Sequence, residues 1–127
     1  MVESTTQINP LGVYLKASGK NVVRVEPSDF YDEKTGLTPD TTHTLLDESA
    51  GSNQVLVIYG YEIECGEEVN LKITANNVDI LSTTDKKHDF GEGLLIMPNK
   101  SIEITESHTN ATIPIKIRVR AAKYYLE

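Results

Sequence analysis

The sequence predicts an all-β protein: an antiparallel two-sheet β-sandwich, jelly-roll-like, with about seven or eight strands and an N-terminal arm. Three observations lead there. From Gln54 onward apolar and polar residues alternate with a period of two, which is strand spacing and which no helix satisfies. Turn-forming residues recur roughly every 8 to 12 positions between these runs. No stretch carries apolar residues at i, i+3, i+4 and i+7 over successive turns.

Taken in order, residues 1–11 are polar and end in Asn9-Pro10, a turn-prone pair, so they read as an arm leading into the first strand. Residues 12–127 form a single β-sandwich domain. Gly12–Lys16 and Asn21–Glu26 flank Ala-Ser-Gly-Lys, which predicts a hairpin burying Val13, Leu15, Val23 and Val25. Residues 27–53 lose all periodicity and read as a long loop excursion, of a length that usually binds something or carries short structure of its own. Phe30, Tyr31, Leu37, Leu45 and Leu46 are its anchors, on the body of the fold or in a subunit contact. Within it TTHTLLDES has a Thr cap for one or two helical turns.

QVLVIYGYEIEC is apolar on both faces in its first half and predicts a central strand. Either a second copy or a second layer of the same chain would cover it. EVNLKITA, the Asn76-Asn77 turn and VDILSTT follow, with Leu71, Ile73, Val78 and Ile80 inward. The charged DKKHDFGEG separates them from LLIMP, Pro98-Asn99 turns the chain into SIEITE with Ile102 and Ile104 inward, and SHTNA makes the last turn. The closing strand places Ile113, Ile115, Ile117 and Val119 on one face and Pro114, Lys116, Arg118 and Arg120 on the other. Pro114 cannot donate to a ladder, so it belongs at an edge or facing away from a neighbour.

Composition narrows the function. A chain of 127 residues, 39% hydrophobic and 24% charged, holds one core and folds without a metal. Its net charge of -7 repels phosphate backbones and anionic lipid, so neither nucleic acid nor membrane is expected as a partner. Cys65, the only cysteine, excludes an intrachain disulfide and thiolate clusters, and points mildly to a reducing compartment. No basic leader precedes an apolar run and no segment approaches the ~20 apolar residues of a membrane span, so the chain reads as soluble; a mature secreted form would look the same.

No catalytic, cofactor or metal site is predicted, and the chain reads as no enzyme. His43, His88 and His108 lie far apart, without zinc-ligand spacing, in segments read as surface loops. His88 beside Asp89 is an adjacent pair, which on a strand points to opposite faces. Asp89-Phe90-Gly91 matches a kinase magnesium tripeptide, but the rest of that machinery is missing. Glu62, Glu64, Glu67 and Glu68 read as the wet side of a strand and its turn, with a paired-carboxylate hydrolase as the other reading. Asp79, Asp85, Asp89 and Glu92 offer oxygen ligands without the spacing of a calcium loop. Asn99-Lys-Ser and Asn110-Ala-Thr are formal glycosylation sequons. Tyr124-Tyr125 offers a ring to a sugar or base, but adjacent residues on a strand face opposite ways, and the favoured reading is one of them packing under a rim. Lys116, Arg118 and Arg120 form a basic stripe that meets either a neighbouring copy or acidic neighbours in its own sheet.

The succession VLVIYGYEIE, NLKITANNVDIL, GEGLLIMPNKSIEITES and TIPIKIRVRAAKYYL resembles small phage and virus virion proteins, notably head decoration and head fibre proteins. The resemblance covers about residues 54–127 and carries no diagnostic motif. Carbohydrate-binding modules and tumour-necrosis-factor-like jelly rolls have a similar texture. It implies a non-enzymatic capsid decoration, cement or head-fibre component found in the virion and assembled in the host cytoplasm. Such a component binds the major capsid protein, or another virion protein, and self-associates as a homotrimer, with the arm or residues 27–53 making the attachment. The competing expectation is a carbohydrate- or other ligand-binding sandwich with Phe30, Tyr31 and Tyr124 as platform.

Overall fold

The computed structural model describes residues 10–127. Its elements are α1 (Pro10–Ser18), β1 (Val22–Pro27), β2 (Phe30–Leu37), β3 (His43–Ser49), β4 (Gln54–Glu64), β5 (Asn70–Ala75), β6 (Val78–Thr83), β7 (Lys87–Ile96), β8 (Ser101–Ser107) and β9 (Ile113–Leu126). One sheet has the order β1-β9-β4-β7, with β2 also on β9; the other has the order β3-β8-β5-β6. All neighbours are antiparallel. From β2 onward the chain thus winds 2-9-4-7 over 3-8-5-6, the double Greek key of a jelly roll. β1 lies beyond β2 on the same side of β9, against Ala122–Leu126, while β2 takes Ile113–Val119.

The core lies between the sheets. Ile113, Ile115, Ile117 and Val119 of β9 face Ile102 and Ile104 of β8, and Leu71 and Ile73 of β5 join them, as their alternation requires. β4 is central as expected, flanked by β9 and β7. Pro114 sits where the β2 ladder breaks register and beyond the last β4 partner, Lys116, so no bond is forfeited.

The first expected hairpin does not form. Residues 10–18 are helical: Pro10 supplies a φ suited to a first helical turn, and Gly19, at φ 71°, ends the helix by returning its N–H to the Leu15 carbonyl at 3.0 Å. Val13, Val23 and Val25, expected inside, are exposed. The expected arm, residues 1–11, falls outside the described residues up to position 9, and its last two residues belong to α1.

β4 is buried on both faces. Val55 and Val57 point away from the core cluster yet are buried. The helix runs into β1 at one side of this sheet and contacts β7 at the other. Nine residues at ~1.5 Å each match the width of about three strand spacings, the span from β1 to β7 in this sheet. Leu11, Tyr14 and Leu15, at helical spacing, are the less exposed residues of α1. The β7 bulge approaches Val57 on the face turned away from the core, where a Cβ on Gly93 would run into it.

Residues 27–53 are not a loop excursion but hold β2 and β3. β2 escapes notice because it is an edge strand with charges on both faces: Phe30 packs on the core, while Asp32 and Lys34, on the same side, pair at 3.1 Å. Inward charge of this kind protects an edge from further pairing. In β3 a register shift between Thr44 and Leu46 lets the adjacent Leu45 and Leu46 both be buried, which breaks the period of two. TTHTLLDES is therefore strand, not helix.

DKKHDFGEG likewise belongs mostly to β7. Ile58 pairs with Leu94 and Gly60 with Asp89, so Phe90–Gly93 bulge opposite Tyr59. Gly91 and Gly93 adopt φ of 68° and 117°, and a Cβ on Gly93 would run into Val57. Val78 and Ile80, expected inside, are exposed on the edge strand β6, where a register shift falls between Ile73 and Thr74 of its partner.

Candidate functional site

Three surfaces gather the polar side chains. The first is the outer face of the β2, β9 and β4 ladder. Register places Lys116 between Glu33 and Glu64, and Arg118 between Tyr31 and Glu62. The Arg118 guanidinium lies 5.3 Å from the Tyr31 ring centre. Arg120 lies across Gly60, where a side chain would collide with it, and reaches Asp89 at 4.0 Å. The basic stripe is thus set among acidic neighbours of its own sheet. Tyr31, Glu62, Glu64, Lys116 and Arg118 line an open groove of about 530 Å³.

The second is the outer face of the other sheet. A cleft of about 730 Å³ is lined there by hydroxyls of Thr74, Ser82 and Thr105, with Asn70, Lys72 and Glu103. Asp79 borders it, bonded to the Thr74 hydroxyl at 2.9 Å and the Lys72 ammonium at 3.2 Å, and these two partners hold its carboxyl below the usual carboxylate range.

The third lies at the end of the sandwich where the β2–β3, β4–β5 and β8–β9 connections meet. Glu106 continues the inward row of Ile102 and Ile104, and its carboxylate is 2.9 Å from His108 Nδ1. His108 Nε2 donates to the Ala111 carbonyl at 2.8 Å, and the His43 ring stacks on His108 with centres 6.3 Å apart. Glu106 and His108 are only 1% and 2% exposed, which corrects the expectation of a surface histidine in a loop. A signal was present: Ile102, Ile104 and Glu106 share one parity, so the strand rule puts that carboxylate inside and demands a partner.

The remaining candidates separate. His43 is in β3 and His88 in β7, not in loops. His88 packs its ring against Phe90 at 4.6 Å and Tyr61 at 6.1 Å, while Asp89 accepts the Gly91 N–H at 2.7 Å. Glu62 and Glu64 point outward; Glu67 buries one oxygen, and Glu68 is exposed. Among the described residues no group of three or more His, Cys, Asp or Glu could hold a metal ion. Asn99, at φ 64°, and Asn110 are exposed in turns. Phe30 joins the core, Tyr124 bonds the Tyr59 hydroxyl at 3.1 Å, and Tyr125 bonds Glu26 at 2.9 Å under the Arg24 guanidinium. The aromatic platform therefore reduces to Tyr31. No helix among the described residues is long and apolar enough to cross a membrane.

No protein-family model matches this chain, and no curated protein matches it.

Proposed function

We propose that this protein is a non-enzymatic virion structural component, a capsid decoration or head-fibre protein that binds the major capsid protein and self-associates as a trimer. One observation carries this reading. The jelly roll closes its core within one chain, yet Val13 of α1 and Val23 and Val25 of β1 are 50%, 56% and 52% exposed. Covering three half-exposed valines contributes about 1 kcal/mol each, a gain that an assembly realises and a free monomer does not. The wrap itself is shared by capsid and lectin domains and does not choose between them.

Light scattering across a concentration series tests the proposal. A stable trimer that falls apart in the Val23→Asp, Val25→Asp variant supports it, and a monomer at all concentrations overturns it. A ligand-binding module is the second reading, favoured by the groove in which Tyr31 presents an exposed ring beside Arg118, Glu62 and Glu64. Binding to a glycan array by a monomer, lost in Tyr31→Ala, is its signature.

A further inference from the structure

Glu106 and His108 are buried together at the place where three connections of the jelly roll meet. The Ala111 carbonyl accepts a hydrogen bond from His108 Nε2, which fixes a proton on that nitrogen. The 2.9 Å contact between Nδ1 and the Glu106 carboxyl then needs a second proton, shared between ring and carboxyl. With it the pair is neutral overall. Without it a carboxylate faces the lone pair of a ring nitrogen in a site closed to water, and one charge is left buried without compensation.

The other groups facing this pair do not replace that proton. His43 on β3 already makes its Nε2 contact with the Thr38 carbonyl at 2.9 Å and stands 3.9 Å from Glu106. Glu67, from the β4–β5 connection, adds a second negative charge near His108. One buried oxygen of Glu106 and one of Glu67 have no hydrogen-bond partner among the described residues. The His108 carbonyl in turn accepts the Asp40 N–H at 2.8 Å, tying the β2–β3 turn to the β8–β9 connection. Asp40 holds φ 60°, a conformation that asparagine and aspartate visit but that needs such a tie.

We propose that Glu106 and His108 form a proton-held latch that keeps the connections at this end of the sandwich closed and releases them when rising pH removes the shared proton. The hydrogen bond that His108 donates to Glu106, against the opposing effect of burial, raises the His108 imidazolium above its ordinary range; the Ala111 carbonyl and the Glu106 and Glu67 charges act in the same direction. A group raised in the folded state contributes fully below its unfolded value of about 6.5, and its contribution is lost as pH rises through the folded value. The latch is therefore closed below the ordinary histidine value and opens as pH rises through the raised folded value.

Amide hydrogen exchange followed by NMR on the full chain reads this directly. As pH rises from about 6 through the His108 titration, the Asp40 amide, corrected for intrinsic exchange, is expected to lose protection, while the Ile104 and Ile115 amides of the core keep theirs. In Glu106→Gln the side-chain amide donates to Nδ1 without a titrating proton, so Asp40 protection becomes independent of pH. Flat protection of Asp40 in the wild type, loss in step with the core amides, or an unchanged pH dependence in the variant overturns the latch. Should Glu106→Gln fail to fold, the His108 titration in the wild type decides: a midpoint at or below the ordinary histidine value overturns it.

Discussion

Replacing Ile117 by Ala tests the register of β9, the strand with the most ladder partners. Ile117 has no exposed surface and stands opposite Ile63 of β4 in the ladder. The change deletes three carbon groups, and at about 0.8 kcal/mol each their transfer amounts to about 2.4 kcal/mol. A residual cavity between two sheets that cannot collapse adds about 1 kcal/mol, for a total of about 3–4 kcal/mol. Lys116, one residue earlier, points outward, and its replacement by Ala is expected to change stability by less than about 0.5 kcal/mol. Urea unfolding followed by far-ultraviolet circular dichroism measures both, since the chain has no tryptophan to report. The slope with denaturant stays constant while the midpoint moves. A cost below about 1 kcal/mol for Ile117→Ala, or an equal cost for Lys116→Ala, refutes the assigned face, because a slip of one residue exchanges the two.

Gly60→Ala would bring a Cβ to 2.7 Å from the His88 carbonyl and into the Arg120 guanidinium, so a loss of about 1–3 kcal/mol is expected in the same unfolding assay; a neutral result would show that β7 yields there. Asn76 donates to the Leu95 carbonyl and accepts from the Met97 N–H, both at 2.8 Å, at a φ of 53°. Asn76→Gly relieves the backbone but loses both bonds, so destabilisation by about 1–3 kcal/mol assigns the role to the side chain and stabilisation refutes it. Burial, reinforced by the Tyr124 hydroxyl, pushes Tyr59 up to about 12, and burial with the Asp85 charge does the same for Tyr61. Their contribution is complete below about pH 10, the unfolded value, and is lost as pH rises through about 12. An ultraviolet titration should show a late-ionising tyrosine component that includes these two; a titration without one would refute their burial.

The sequence by itself determined the fold class and the strands of the second half, because a sheet with one covered face writes its burial as a period of two. Ile113 to Val119, Ile102 with Ile104, and Leu71 with Ile73 are read from that rule alone. The rule fails where the cause of burial is remote in sequence. β2 and β6 are edge strands: one carries inward charge and the other leaves Val78 and Ile80 exposed, so neither shows the expected contrast. β3 and β7 contain register shifts that change parity in mid-strand. The nine residues of α1 are too few for a helical period to declare itself.

The same division holds for the polar groups. Parity places Glu106 inside with His108 two residues on, but His43 and Glu67 approach the pair from other segments, and only the winding of the jelly roll brings those connections to one end. The basic stripe of β9 is legible residue by residue, whereas its flanking carboxylates come from β2 and β4, which the topology sets on either side. Alternation along a chain is a local consequence of backbone geometry; which charge answers which depends on strand order, and strand order is settled by packing.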